Sequence, residues 1–481
     1  MGRPFRRNLR WATKILASAL ACVLLSSCTG GTGGTADNTA DEGRPPPDAR
    51  PQVALEFRMA DDLRSAQGTE RVTFVPDLEV CELVFRAWPN KPITARAGNS
   101  LTVTTATVDG EQVRPDVSPG GAPEGSPGTL VELPLPSCVP AGTPISAELG
   151  FELGLGPDTD ERVGYSRSEE LAWLGTAYPL LAWENGRGWL RDAAVPVTGE
   201  TATSEAFALT SLRVTAPSQF SVLGVGEPLP PETDPATGRT THEFKAPAVR
   251  DVTVTVGRMS VVEKRVGGTT IHVGGPADKM ARSPEEWSDA IARSLTAVSD
   301  YLGPVPYEHL WVSVIPEQTE GIEFPGAIQF GQLRGPRDQW IVTHEIAHLW
   351  FYGLVGNNQA QHPWMDESFA SFVQRVVDDP NRSPRPQHDY PGRLANQVGD
   401  SMDSWGSSRR ASNMYVNAVY LAGADMLIEA RDAAGHAEFD NAVRSYLADN
   451  AHRIATPDDV ANAFRDQPQA VERMQEAGAL P

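Results

Sequence analysis

Cysteine is scarce, at four residues in 481. So few exclude a disulfide-dense scaffold. Long apolar runs are missing too. The most apolar stretch, Ile15 to Leu25, has eleven residues, short of the 18 or so that a membrane-crossing helix needs. Positive charge is in short supply. Lys and Arg number 41 against 62 Asp and Glu, a formal charge of -21. The first 27 residues hold five basic and no acidic side chains, so the remainder stands near -26 (-21 minus 5). Such a balance argues against a nucleic-acid partner and against electrostatic attraction to anionic lipid heads. Residues 51 to about 265 show neither a long amphipathic helix nor a repeat of fixed period.

What is present begins with an address. Arg3, Arg6, Arg7, Arg10 and Lys14 form a basic leader ahead of the apolar stretch, as in a signal peptide. The stretch ends in Leu25-Ser26-Ser27-Cys28, which resembles a bacterial lipoprotein cleavage box. Cys28 is the expected lipidation site, and it would tether the chain outside the cytoplasm to the cell membrane. Arg6-Arg7 leaves twin-arginine export open beside the general route. Residues 29–51 are rich in Gly and Thr, then in Pro and Asp, and read as a flexible tether. With Cys22 in the leader and Cys28 at the anchor, Cys81 and Cys138 remain as an even pair in an exported chain. A disulfide between them is expected.

The stretch from His344 to Phe372 carries the chemistry. His344 and His348 lie four apart, which on a helix places both imidazoles on one face. Glu345 borders that face and is placed to take a proton from a water held by a metal. After eighteen intervening residues comes Glu367. The gap holds Gly353, Gly356, Asn357 and Asn358, and the apolar rhythm resumes at Phe369, Phe372 and Val373. Two helices joined by a turn would return Glu367 to the histidines. Two His and one Glu, with a fourth position for water, describe a catalytic zinc site with one ion per chain. Asp366 is either a helix cap or a partner of a ligand.

HEIAH at 344–348, LVGN at 354–357 and WMDESFAS at 364–371 resemble the active-site core of the aminopeptidase N family of zinc peptidases, a thermolysin-like (gluzincin) group. The likeness is strongest from about Gly321 to Leu427 and thinner from residue 51. It implies that Glu323, in Glu320-Gly321-Ile322-Glu323-Phe324, matches the glutamate of a Gly-Ala-Met-Glu-Asn motif that pairs with a substrate's free α-amine. Glu320 and Phe324 depart from that motif. It also implies that Tyr420 is the catalytic tyrosine, stabilising an oxyanion, with Tyr415 five residues before it. The segment Tyr178 to Trp183, with Gly188-Trp189, resembles the family stretch that approaches the site. Leu181 stands near where many members carry a polar anchor.

Elsewhere the sequence alternates short β-branched runs with turns. Leu101–Val108, the Asp109-Gly110 turn and Glu111–Val113 predict a hairpin. Residues 118–128 predict a loop. Strands are expected at Leu130–Leu133, Ser146–Leu153, Phe207–Thr215, His242–Ala246, Asp251–Val262 and Leu310–Ile315. Ser283-Pro284-Glu285-Glu286 is a capping box that starts a helix toward Tyr301. Phe439–Leu447 and the stretch after Thr456-Pro457 are also helical.

The expected fold is multidomain, α and β. Residues 1–27 are a lipoprotein signal peptide and 28–50 a tether. Residues 51–265 form an antiparallel β domain, and 266–481 a thermolysin-like, mostly α-helical catalytic domain, with no large C-terminal helical domain. The resemblance implies a membrane-tethered zinc aminopeptidase acting on peptides. A zinc endopeptidase with an open cleft is the alternative, followed by a non-catalytic envelope lipoprotein that uses the fold as a binding module. Oligomeric state is not readable.

Overall fold

The computed structural model describes residues 50–197, 203–335, 338–378, 394, 396–407 and 411–481. The signal peptide, most of the tether and Cys28 lie outside the described residues. Among the described residues no helix is long and apolar enough to cross a membrane.

The N-terminal half is built from strands because its apolar residues alternate. Gln52–Met59 and Ser65–Phe74 each bury every second residue, the period of a sheet with one face on a core. They belong to a nine-stranded sheet that also contains Ile145–Gly154, Ser100–Val108, Phe207–Pro217 and Arg239–Val249. The predicted hairpin is there, with Ser100–Val108 turning at Asp109-Gly110 into Glu111–Gln112. The sheet is not purely antiparallel, which corrects the expectation. Gln52–Met59 pairs in parallel with Phe207–Pro217. Two four-stranded sheets and the two-stranded pair Trp183–Glu184 with Gly188–Trp189 complete this half among the described residues. One four-stranded sheet joins Val80–Ala87 to Leu130–Val139 and Pro179–Leu181, and the other joins Leu171–Gly175 to Thr253–Gly257.

Cys81 and Cys138 form the expected disulfide, bridging 57 positions of sequence across the paired strands Val80–Ala87 and Leu130–Val139. Closing a loop of that length stabilises by at most about 4 kcal/mol on the chain-entropy argument.

The single strand expected at Asp251–Val262 is two. Thr253–Gly257 stays with the β half, and Ser260–Val266 pairs with Thr269–Gly275 in a five-stranded sheet of the second half. The chain changes sheets at Arg258, whose N–H donates to the Glu170 carbonyl. A short helix at Pro92–Arg96 was also not expected.

The second half sets helices against that five-stranded sheet. Its strand order is Ser260–Val266, Thr269–Gly275, His309–Val314, Ala327–Phe330 and Gly321–Phe324, the last on an edge. Helix Pro284–Leu302 begins at the predicted capping box. The Ser283 side chain accepts from the Glu286 N–H, and Glu286 accepts from the Ser283 N–H. Its Trp287, Ile291, Leu295 and Val298 are buried at helical spacing. They share a core with Trp350, Trp364 and Phe369. An equivalent box, Thr456 with Asp459, starts helix Pro457–Ala463. A β-rich first part followed by a helical second part is therefore the architecture.

Candidate metal centre and cleft

Helix Gln339–Ala347 carries His344 and Glu345, and His348 is its C-terminal cap. The chain then turns back. The Gly353, Leu354 and Val355 N–H groups donate to the carbonyls of His348, Leu349 and Trp350. Helix Trp364–Val377 returns Glu367 in its first turn. The two helices pack through buried Val342, Ile346, Phe369 and Phe372, as the resumed apolar rhythm requires.

The three side chains converge. His344 Nε2 and His348 Nε2 are 3.1 Å apart. Glu367 Oε2 lies 3.2 Å from the first and 3.4 Å from the second. Zinc bonds of about 2.0 to 2.1 Å at tetrahedral angles would hold ligand atoms about 3.3 Å apart. The triangle has that size, and Glu367 Oε2 is buried with no hydrogen-bond donor. The residues present therefore fit a zinc ion.

The second ring nitrogens are held from behind. His348 Nδ1 lies 2.6 Å from Asp366 Oδ1 and 3.2 Å from the Phe351 carbonyl. Two acceptors fix the proton on Nδ1 and leave Nε2 its lone pair for a metal. Asp366 is thus a partner of a ligand and not a cap. Its other oxygen accepts from Gln359 Nε2 at 3.0 Å. His344 Nδ1 lies 3.4 Å from Ser371 Oγ.

Burial drives the electrostatics. It lowers His344 and opposes charge on His348, but Asp366 and Glu367 together pull His348 well above the usual histidine range. Burial alone would raise Glu367, but His348 and His344 outweigh it and hold the carboxyl below the carboxylate range. Glu345 is pushed well up, first by burial and then by Glu323, Glu367 and Glu320, against the pull of His348. Glu323 is pushed up to about 7, chiefly by burial.

Glu345 is 6 % exposed and its Oε2 has no partner. It rests on Gly321, where an added Cβ would lie 2.3 Å from Glu345 Cγ. Only glycine leaves that seat open. Glu323 is 7 % exposed on the edge strand Gly321–Phe324, and its Oε1 is likewise unpartnered.

Tyr420 reaches the ligands by an irregular route. Residues Val416–Ala422 form a π-helical turn between two α-helical segments. The wide turn re-aims side chains and is common at working sites. Tyr420 OH donates to Glu367 Oε1 at 2.6 Å, and its ring stacks on His344. Ser368 Oγ, one residue after the ligand, donates to the Val419 carbonyl at 2.6 Å. Gly423 makes room for it, since a Cβ there would meet Ser368 Oγ at 2.1 Å. Ser368 and Gly423 thereby register the Tyr420 segment against the Glu367 helix. Tyr415 is buried, with its ring edge-on to Tyr420.

His344, Glu345, His348, Glu367, Glu323, Tyr415 and Tyr420 open on one cleft of about 400 Å³. Its walls include Trp340, Ile341 and Val416 on the helical side and Lys91, Asp160, Glu161 and Arg162 from the β half. The stretch around Leu181 does not line it. Leu181 is buried in the β core, paired with Phe85. The approach to the site comes instead from residues 160–162, which no motif announced. Ser368, Gly423 and Gln359 were also missed. Ser368 lies inside the motif at 364–371 and Gly423 three residues after Tyr420, but neither carries a charge to single it out.

Comparison with known proteins agrees with the geometry. Residues 336–477 match the peptidase family M1 domain. Leucine aminopeptidase 2 of Aspergillus clavatus is 19 % identical over 347 residues, 65 % of this chain and 54 % of that protein. Tricorn protease-interacting factor F2 of Thermoplasma volcanium is 25 % identical over 250 residues, 46 % of this chain and 31 % of its own. The chain thus spans about half the length, or less, of these curated relatives. The crystal structure of an M1 zinc metallopeptidase from Deinococcus radiodurans aligns with a TM-score of 0.60 at 18 % identity, covering 89 % of this chain and 92 % of that one. A mutant of it bound to a Tyr-Ser-Ala substrate gives 0.61 over 90 % and 94 %. At such identity the likeness establishes the fold. Residues 336–477 accordingly match a peptidase family M1 domain, within a fold similar to that of an M1 zinc metallopeptidase.

Proposed function

We propose that the protein is a zinc aminopeptidase that removes N-terminal residues from peptides. The observation that carries this reading is Glu323. Its carboxylate is buried, lacks a partner for one oxygen, and sits on a sheet edge beside the metal triangle. A buried orphan carboxylate in a substrate cleft is satisfied by a cation, and a peptide's α-ammonium is the cation nearest a terminal bond.

His344 and His348 would hold zinc by Nε2, and Glu367 by Oε2. Zinc, when bound, supplies a Lewis acid that lowers the pKa of water and polarises a carbonyl. Glu345 Oε2 receives the proton of the attacking water. It can then pass that proton to the leaving amine. Tyr420 O–H, kept neutral first by burial and then by Glu367, can turn from Glu367 to donate to the developing oxyanion. Asp366 holds the His348 ring.

A second reading is favoured by one observation. The expected polar anchor near Leu181 is not at the cleft, and Lys91 and Arg162 stand in the same wall as Glu323. An endopeptidase would need no α-amine anchor. Matched free and N-acetylated peptides decide between the two. Acetylation should abolish cleavage by an aminopeptidase, whereas cleavage of the blocked series would establish the endopeptidase. We also propose that Cys28 anchors the protein to the outer face of the cell membrane. Loss of the chain from the membrane fraction in Cys28→Ala is expected, and unchanged partitioning would remove the anchor.

A further inference from the structure

The mouth of the cleft carries a charge that neither the metal nor the amine anchor uses. Glu320 lines it, one residue before the edge strand. Its carboxylate has no hydrogen-bond or ion-pair partner among the described residues. Partial burial, then the charges of Asp160 and Glu367, hold this carboxyl above its ordinary range.

The loop that presents Glu320 is fixed. Asp160 accepts from the Thr319 N–H at 3.0 Å and from Thr319 Oγ1 at 2.7 Å. The Glu320 carbonyl accepts from the Gly331 N–H at 2.7 Å, and Gln318 Nε2 donates to the Glu161 carbonyl at 3.0 Å. The backbone that carries the acceptor is therefore held in place before anything binds.

The cations in the cleft wall face other carboxylates. Lys91 lies 3.8 Å from Glu161, and Arg162 4.0 Å from Asp251. Deeper in the same cleft lie the unpartnered buried oxygens of Glu323 and Glu345. Trp340, Ile341 and the exposed Val416 add apolar wall. Apolar wall with a carboxylate at its rim matches one kind of side chain, a long aliphatic stem ending in a cation.

We propose that Glu320 selects substrates whose N-terminal residue is arginine or lysine. This rests on the aminopeptidase reading. Glu320 acts on the side chain, while Glu323 acts on the α-amine that every substrate shares. A solvent-accessible ion pair in a fixed geometry is worth about fivefold at its upper end.

The test compares fluorogenic amides of arginine and of citrulline, its neutral near-isostere, on the zinc-loaded protein. The kcat/KM ratio should approach about five in the wild type and fall toward one in Glu320→Gln. Glu320→Lys, a second variant at an exposed position, should instead favour a glutamate amide over a glutamine amide. A wild-type ratio near one, or an unchanged ratio in Glu320→Gln while both substrates are released, overturns the inference and leaves the aminopeptidase reading standing. No chelator-sensitive release from either amide overturns both.

Discussion

Asp366 offers the sharpest probe of how the metal centre is held. Asp366→Asn keeps the shape and removes one charge. Asn Oδ1 can still accept from His348 Nδ1, now 2.6 Å from the carboxylate. The new NH2 would face Gln359 Nε2, 3.0 Å away in the wild type. Gln359 can turn its amide, because its Oε1 is buried without a partner. Packing and bond count then survive, and the loss is the difference between an ionised and a neutral acceptor. Bonds to charged groups contribute about 1.5 to 3 kcal/mol and neutral ones about 0.5 to 1.5. The expected loss is about 1 to 1.5 kcal/mol, or about tenfold in zinc affinity. Asp366→Ala removes the acceptor and leaves His348 Nδ1 only the Phe351 carbonyl at 3.2 Å. Its loss should approach a hundredfold. Competition with a chelator of known affinity measures both, with melting curves to confirm folding. Equal zinc affinity in all three proteins would refute the idea that Asp366 sets the basicity of His348.

Tyr420 and Glu70 give two further expected outcomes. Tyr420→Phe should lower kcat by about a hundredfold or more, the cost of one oxyanion donor, with zinc content retained; a kcat within threefold of wild type would remove the tyrosine from the mechanism. Glu70 is fully buried in the β half with both carboxylate oxygens unpartnered, and burial holds its pKa well above the usual range. Above the unfolded pKa of about 4.3 the unfolded chain binds fewer protons than the native one, so this group makes stability fall with rising pH until its native pKa is passed. Glu70→Gln should therefore raise Tm relative to wild type by more at pH 8 than at pH 5, and a gap independent of pH would contradict that.

How much of this was legible depends on how far apart the partners lie in sequence. His344, Glu345 and His348 are set by one helical turn, and Glu367 by the rhythm of the next helix, so local spacing sufficed. Asp366 stayed ambiguous because its partner His348 lies 18 residues away and nothing in the intervening chain shows which way the carboxylate points. Leu181 was misplaced for a similar reason. Its surroundings follow from pairing with Phe85, about a hundred residues upstream. The parallel pairing of Gln52–Met59 with Phe207–Pro217 is more distant still, and both strands look the same in sequence whichever way they run. The π-helical turn that delivers Tyr420 depends on Ser368 meeting the Val419 carbonyl across two helices, which periodicity cannot register. Capping boxes, by contrast, close within four residues, and both were readable.

The central claim is that a zinc held by His344, His348 and Glu367 works with Glu345 as the proton carrier. The direct measurement is zinc content and peptide turnover of purified Glu345→Gln beside the wild type. The expected result is one zinc per chain in both proteins, with chelator-sensitive turnover in the wild type and a loss of at least about a hundredfold in the variant, at the low end for a general base. Turnover retained in a zinc-loaded Glu345→Gln, or a wild type that binds no zinc, would contradict it.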